Sequence, residues 1–358
     1  MVHLPGFARP RVSRAFTYPK GVRGALLAGI RHTWPCVAIA VAGCATVGFN
    51  LPSGTSTKFN ILTGSKGDDT KNHPANVAFA VSASCAQGQQ LVGGGYDLIN
   101  NSNASPTLLV VEGSYPSAAN TWTVQVRNPD NPAYYSGDAD VVVVAVAYCV
   151  DTPNYDLSTE IVTQQTTIPQ TPNTTTDIDV RCSQTSSLAL SGGFLTTSLP
   201  TYSEPGGAVH QAFWPGLEGT GITGSGPAFP DNTHSAMGWH LTQQYTPASV
   251  YTAPQPPVTT TVYAICARKN INVQSYRLAT VSAVLDPTAD VKPMCQTGEF
   301  TVGGGYSGVP WSVSTVISEV SGSRAQASSF AWNSWVVSGT SSGSSMSASA
   351  LCVRIPII

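Results

Sequence analysis

Three times along its 358 residues the chain spells the same order: a cysteine, a glycine cluster followed by an aromatic, a tryptophan opening an alternating segment, and a cysteine on an apolar strand. Copy one runs from Cys85 through Gly93-Gly94-Gly95-Tyr96 and Trp122 to Cys149, and copy three from Cys295 through Gly303-Gly304-Gly305-Tyr306 and Trp335 to Cys352. Copy two keeps the order with Ser191-Gly192-Gly193-Phe194, Trp239, and Cys182 to Cys266. Internal repetition constrains a fold more than any local propensity, because each copy must bury the same face in the same way. Copies one and three also share an aliphatic segment with one acid, Glu112 and Glu319.

The local text is that of strands. Val77, Phe79, Val81, Ala83 and Cys85 alternate with small or polar residues, which places all five on one face of a half-buried antiparallel strand and turns the opening cysteine inward. Charged residues make up 10% of the chain, where an ordinary domain has about 25%. With no heptads and no long Ala, Leu, Glu and Lys runs, helical bundles are excluded. The glycine triplet predicts a bulge or tight bend between sheets, with an aromatic packed over it, since positive φ and close sheet approach both require a missing Cβ. The reading is all-β: three tandem, small, antiparallel β-sandwich-like repeats over 70–151, 157–269 and 273–358. Trp122, Trp239 and Trp335, which recur, are core residues.

Six of the eight cysteines belong to the copies, and the repetition pairs Cys85 with Cys149, Cys182 with Cys266, and Cys295 with Cys352. The closed loops are long enough for each bridge to contribute roughly 4–5 kcal/mol in the chain-entropy account. Disulfides of this kind belong to an oxidising compartment.

The remaining two cysteines sit at the amino terminus. Cys36 falls in the apolar run 35–43, which follows Arg31 and His32 and is too short to span a bilayer, a task that takes about 20 apolar residues. Val41-Ala42-Gly43-Cys44 resembles the bacterial lipobox. That resemblance implies a signal peptide over 1–43, an acylated Cys44, and a flexible tether over 44–69, where Gly, Ser, Thr and Asn dominate. The stretch ahead of the apolar core exceeds the usual basic region, and a start near Val22 restores an ordinary length. Ala45 after the cysteine carries no inner-membrane retention signal of the kind that Asp supplies in lipoproteins.

The Cys…Gly-Gly-Gly…Trp…Cys pattern, from about Val77 to Arg354, is similar to repeats in exported actinobacterial proteins. The resemblance bears on fold and compartment and implies no chemistry.

Charge excludes one class of partner. All 19 acids lie at Asp68 or later and six of the 17 basic residues precede Cys44, so a chain cut there keeps 11 bases against 19 acids, a net charge of −8. Nucleic acid is not the partner of such a surface.

The search for chemistry returns no catalytic residues, no cofactor and no metal site. Gly219-Thr220-Gly221-Ile222-Thr223-Gly224 matches a dinucleotide fingerprint by letter, but it stands in a Pro- and Gly-rich loop with no helix to follow. Gly339-Thr340-Ser341-Ser342-Gly343 matches a nucleophile elbow equally emptily. His210, His234 and His240, with Asp231 and Glu218, lack any zinc spacing. Asp130, Asp138 and Asp140 lack the calcium-loop pattern.

Copy two holds 20 more residues between its cysteines than copy one, concentrated around 204–235. Loops on rigid sheets carry recognition. Tyr202, His210, Phe213, Trp214 and Glu218 are therefore the candidate ligand-binding residues, with the aromatics offering a platform for sugar rings. The expected function is a non-enzymatic surface protein, held to the outer side of a bacterial membrane by its lipid or else secreted. It engages an envelope glycan or protein. A membrane-associated hydrolase and a self-associating envelope component are the competing classes.

Overall fold

The computed structural model describes residues 59–64, 78–100, 110–127, 141–151, 158–171, 174–183, 188–197, 201–203, 209–211, 219–228, 237–246, 255–268, 275–284, 290–308, 319–327, 332–340 and 345–354. Among them every element is a strand. Copy one supplies β1 (Phe59–Gly64), β2 (Ala78–Ser84), β3 (Gln89–Asn100), β4 (Val110–Ala118), β5 (Thr121–Arg127) and β6 (Val141–Asp151). Copy two supplies β7 (Ser158–Gln170), β8 (Thr174–Arg181), β9 (Leu188–Thr197), β10 (Thr201–Ser203), β11 (Val209–Gln211), β12 (Gly219–Ala228), β13 (Gly238–Thr246) and β14 (Gln255–Arg268). Copy three supplies β15 (Ser275–Val284), β16 (Phe300–Ser307), β17 (Glu319–Ala327), β18 (Trp332–Thr340) and β19 (Ser345–Arg354). The three disulfides join Cys85 to Cys149, Cys182 to Cys266 and Cys295 to Cys352. An all-β chain with one bridge inside each copy is what the sequence predicts.

How the copies combine is different from a row of sandwiches. The sheet orders are β1-β6-β3-β17-β18, β2-β5-β4-β9-β14-β7 and β15-β19-β16-β12-β13-β8. Apart from the two-stranded ribbon β10-β11 of copy two, each copy therefore splits its strands between two sheets, and each of these three sheets is completed by strands of another copy. The junctions are antiparallel and equivalent: Tyr96 faces Ser323, Phe194 faces Ser114, and Tyr306 faces Ser225. The cause is the triplet strands β3, β9 and β16, one per sheet, which approach each other closely at the centre. Gly93 lies against Ser191 and the Val302 carbonyl, and Gly303 lies against Ser191 and the Leu190 carbonyl. Side chains on those two glycines would hold the three sheets apart.

Each triplet lies inside a strand, and the predicted bulge falls just before it, opposite the closing cysteine. Leu91 faces Cys149 but Gly93 faces Tyr148; Ala189 faces Cys266 but Ser191 faces Ile265; Thr301 faces Cys352 but Gly303 faces Leu351. Positive φ belongs to Gly88, Gly298 and Gly308 among the described residues; the first two stand three residues after the opening cysteines, in turns closed by Gln89 N–H to the Ala86 carbonyl and Glu299 N–H to the Gln296 carbonyl. The ring over the middle glycine is the tryptophan: a Cβ on Gly94, Gly192 or Gly304 would fall inside the indole of Trp122, Trp239 or Trp335. All three indoles are buried, and each donates its Nε1–H to a buried serine, Ser114 at 3.0 Å, Ser225 at 3.0 Å and Ser323 at 2.9 Å.

Two local departures have plain causes. Phe59–Gly64, read above as tether, is the edge strand β1 and pairs with β6 from Phe59↔Val150 to Gly64↔Ala145. Its alternation of Phe59, Ile61 and Thr63 suits an edge. In copy three the strand before the opening cysteine is reduced to two bridges, Val291↔Val337 and Met294↔Ser334. Pro293 between them has no N–H to give to a ladder.

Candidate functional site

Strand direction gives the folded unit two unlike ends. In copy one Phe59, Gln89, Thr121 and Asp151 lie at the disulfide end, whereas Gly64, Ala78, Asn100, Val110, Arg127 and Val141 lie at the opposite end. The registers of copies two and three run the same way. Three connections per copy thus leave and return at the end remote from the disulfides, and the longest of them bridges Thr197 and Gly219.

That connection contains the candidate residues named from sequence. The structure brings two of the five together: Tyr202 and His210 are directly opposed in the two-stranded ribbon of β10 and β11. Phe213, Trp214 and Glu218 lie outside the described residues, as do Cys44, Asp130, Asp138, Asp140, Asp231, His234 and Ser341. The fingerprint-like run from Gly219 to Gly224 is strand β12, not a loop, with a bulge between Ile222 and Gly224. Among the described residues no helix N-terminus follows it to receive a pyrophosphate.

His240 stands on the open face of β13. Its Nδ1 meets Asp179 Oδ1 at 2.8 Å and its Nε2 meets Thr242 Oγ1 at 2.9 Å, while that hydroxyl donates to Asp177 Oδ1 at 2.9 Å. These are cross-strand pairs, since His240 faces Asp179 and Thr242 faces Asp177 in the ladder. The side chains are well exposed on a flat sheet, where water competes for every hydrogen bond. The one close grouping of metal-ligand types among the described residues is Cys295, Glu299 and Cys352, and its two sulfurs are already joined to each other. Glu299 there is held by Arg277 Nη2 at 2.7 Å, a structural ion pair.

At the centre, the three Trp–Ser pairs and the neighbouring glycines line a cavity of about 20 Å³, room for roughly one water. It is too small for a substrate.

A different pair stands out on the second sheet. Tyr115 of β4 and Tyr263 of β14 lean across Gly193 of β9 and stack, with ring centroids 5.1 Å apart and planes at 27°. Both are partly buried. Partial burial pushes both hydroxyls above the ordinary tyrosine value, and for Tyr263 the nearby Tyr115 adds to the rise. Sequence reading passed over these residues because neither recurs between copies and they are 148 positions apart. Only the exchange of strands between copies brings them together.

No known family model matches the chain, and no curated protein is similar to it.

Proposed function

We propose that the chain is an exported surface protein, anchored through an acylated Cys44, that binds a partner of the cell envelope or its surroundings and does not transform it. The single observation that carries the reading is the polarity of the scaffold. β1, the first strand of the unit, begins at Phe59 beside Val150, at the disulfide end. Only 15 residues separate Phe59 from Cys44, a reach of about 50 Å when fully extended. In this reading a chain held at Cys44 turns its disulfide end to the membrane and the nine connections of the opposite end, including the one that carries the Tyr202–His210 ribbon, to the outside. Three disulfides place the folded unit in an oxidising compartment, in keeping with export.

The test has two arms. Cys44→Ser is expected to move the protein from the membrane fraction to the medium and to remove the mass of the acyl chains; retention in the membrane would overturn the anchor. On intact cells, an epitope placed between Ser341 and Ser342 should be reached by antibody more readily than one placed between Thr152 and Pro153. The reverse order of access would overturn the orientation.

A further inference from the structure

The inner layer of the unit repeats almost identically at its three sheet junctions, but the outer layer does not. At the junction of β4, β9 and β14 the row of outward residues reads Tyr115, Gly193, Tyr263. The same row reads Gly226, Gly305, Ser349 in the third sheet, and in the first it ends on Val146, which is buried in the core. Closing a junction thus needs the glycine and the buried serine, and it does not need aromatics outside. The stacked tyrosines are surplus to the fold.

On the β7 side their surroundings are polar and uncharged. Thr123 flanks Tyr115 in register and Thr163 flanks Tyr263, and the next row reads Gln125, Gly113, Leu195, Thr261 and Gln165, of which Gln125 already donates to Glu112 at 2.8 Å. Thr123 is buried and tied to Ser82 at 2.8 Å and Ser117 at 2.6 Å, so the polar groups left open beside the pair are those of Thr163 and Gln165 on β7. The nearest acid on this side, Glu112, is buried and neutralised by Arg127. Aromatic faces beside amides and hydroxyls, without charge, match the one common ligand that is apolar on its ring faces and hydroxylated at its rim. An ionic ligand finds no counter-charge there.

We infer that the outer face of this sheet is a saccharide-binding platform, on which a neutral sugar ring packs against the Tyr115–Tyr263 pair and its hydroxyls are met by the side chains of Thr163 and Gln165 on β7. The inference names the partner class of the binding role proposed above and rests on it, but it locates recognition on the side of the unit.

The test uses the secreted Cys44→Ser chain in native gels cast with a neutral glucan, a mannan or an arabinogalactan. Retarded migration in at least one is expected. The variants Tyr115→Gly/Tyr263→Ser and Tyr263→Ser carry residues that the third sheet already has in this row, so both should fold, with unchanged thermal midpoints. Each should bind at least about tenfold more weakly. Migration unaffected by all three polysaccharides, or tyrosine variants that bind unchanged, would overturn the platform. Binding lost on Trp214→Ala and kept in both tyrosine variants would do so too, and would return the site to the copy-two ribbon. Failure of the anchor is read separately, in the membrane fraction.

Discussion

At the scale of single residues, the centre of the molecule is decided by which atoms are missing. Glycine under each indole lets tryptophan lie flat on a strand, and the serine that faces it satisfies the one polar atom the ring carries into the core. The aromatic after the triplet has more latitude, being Tyr96, Phe194 and Tyr306 in the three copies. Tyr306 is fully buried and shares a side-chain hydrogen bond with Tyr96, and burial holds its hydroxyl far above the ordinary value. The sign of the consequence is fixed. Below about pH 10 the hydroxyl is protonated both folded and unfolded, so it adds no pH dependence; above that, only the unfolded chain ionises and stability falls as pH rises. Tyr306→Phe, which copies the residue of the second copy, should cost about 1 kcal/mol at neutral pH. It should also make the loss of stability between pH 9 and 11 shallower, as urea midpoints would record. A parallel pH profile for variant and parent would count against this assignment.

At the scale of elements, the same strand positions carry different chemistry in different copies. Leu98, Val126 and Val143 form a buried apolar contact region in copy one, on β3, β5 and β6. Their counterparts four residues past the middle glycine, four past the tryptophan and six before the closing cysteine are Thr196, Gln243 and Thr260, equally buried. Thr260 Oγ1 donates to Gln243 Oε1 at 2.8 Å and lies 3.2 Å from Thr196 Oγ1, while Gln243 Nε2 has no partner. A half-satisfied polar group costs more than none. Thr260→Val alone should therefore destabilise by about 1–3 kcal/mol by stranding the glutamine oxygen. Thr196→Val, Gln243→Leu and Thr260→Val together should recover that loss or exceed the parent. Denaturant midpoints for the single and triple variants decide it, and additive losses would refute it. Strand identity was legible where a long alternation exists, as from Val77 to Cys85. It was illegible for β1, because Phe59–Gly64 is six residues in a Gly- and Thr-rich stretch and reads as a strand only once β6 offers it an edge.

At the scale of the whole molecule, the disulfides were legible because both partners lie within one copy and the copies repeat. The exchange of strands was not, because a repeated sequence is equally compatible with closing each sheet on itself. What excludes self-closure is steric. The last glycine of the cluster in copies two and three sits against the backbone of a serine in another copy, Gly193 against Ser114 and Gly305 against Ser225. The candidate ribbon was legible as extra length in one copy; the tyrosine pair was hidden, since its members meet only across an exchanged junction. The strand order makes one further statement. Excising copy two as 157–269 leaves β9 without β4 and β12 without β16, two new exposed edges beside a core that now faces water. Each excised copy should therefore be unfolded or associate into complexes, even with its disulfide formed. The secreted full chain should melt in a single calorimetric transition whose van't Hoff and calorimetric enthalpies agree. A chain of its length built from independent units would instead show separate transitions, and an excised copy that is monomeric, folded and cooperative would show that the shared sheets contribute little. The physical reason to expect one transition is that each sheet ends in a different copy from the one in which it begins. Losing any copy therefore opens two of the three sheets at their centres, where the tryptophans are buried, and leaves no subset of strands with a complete core.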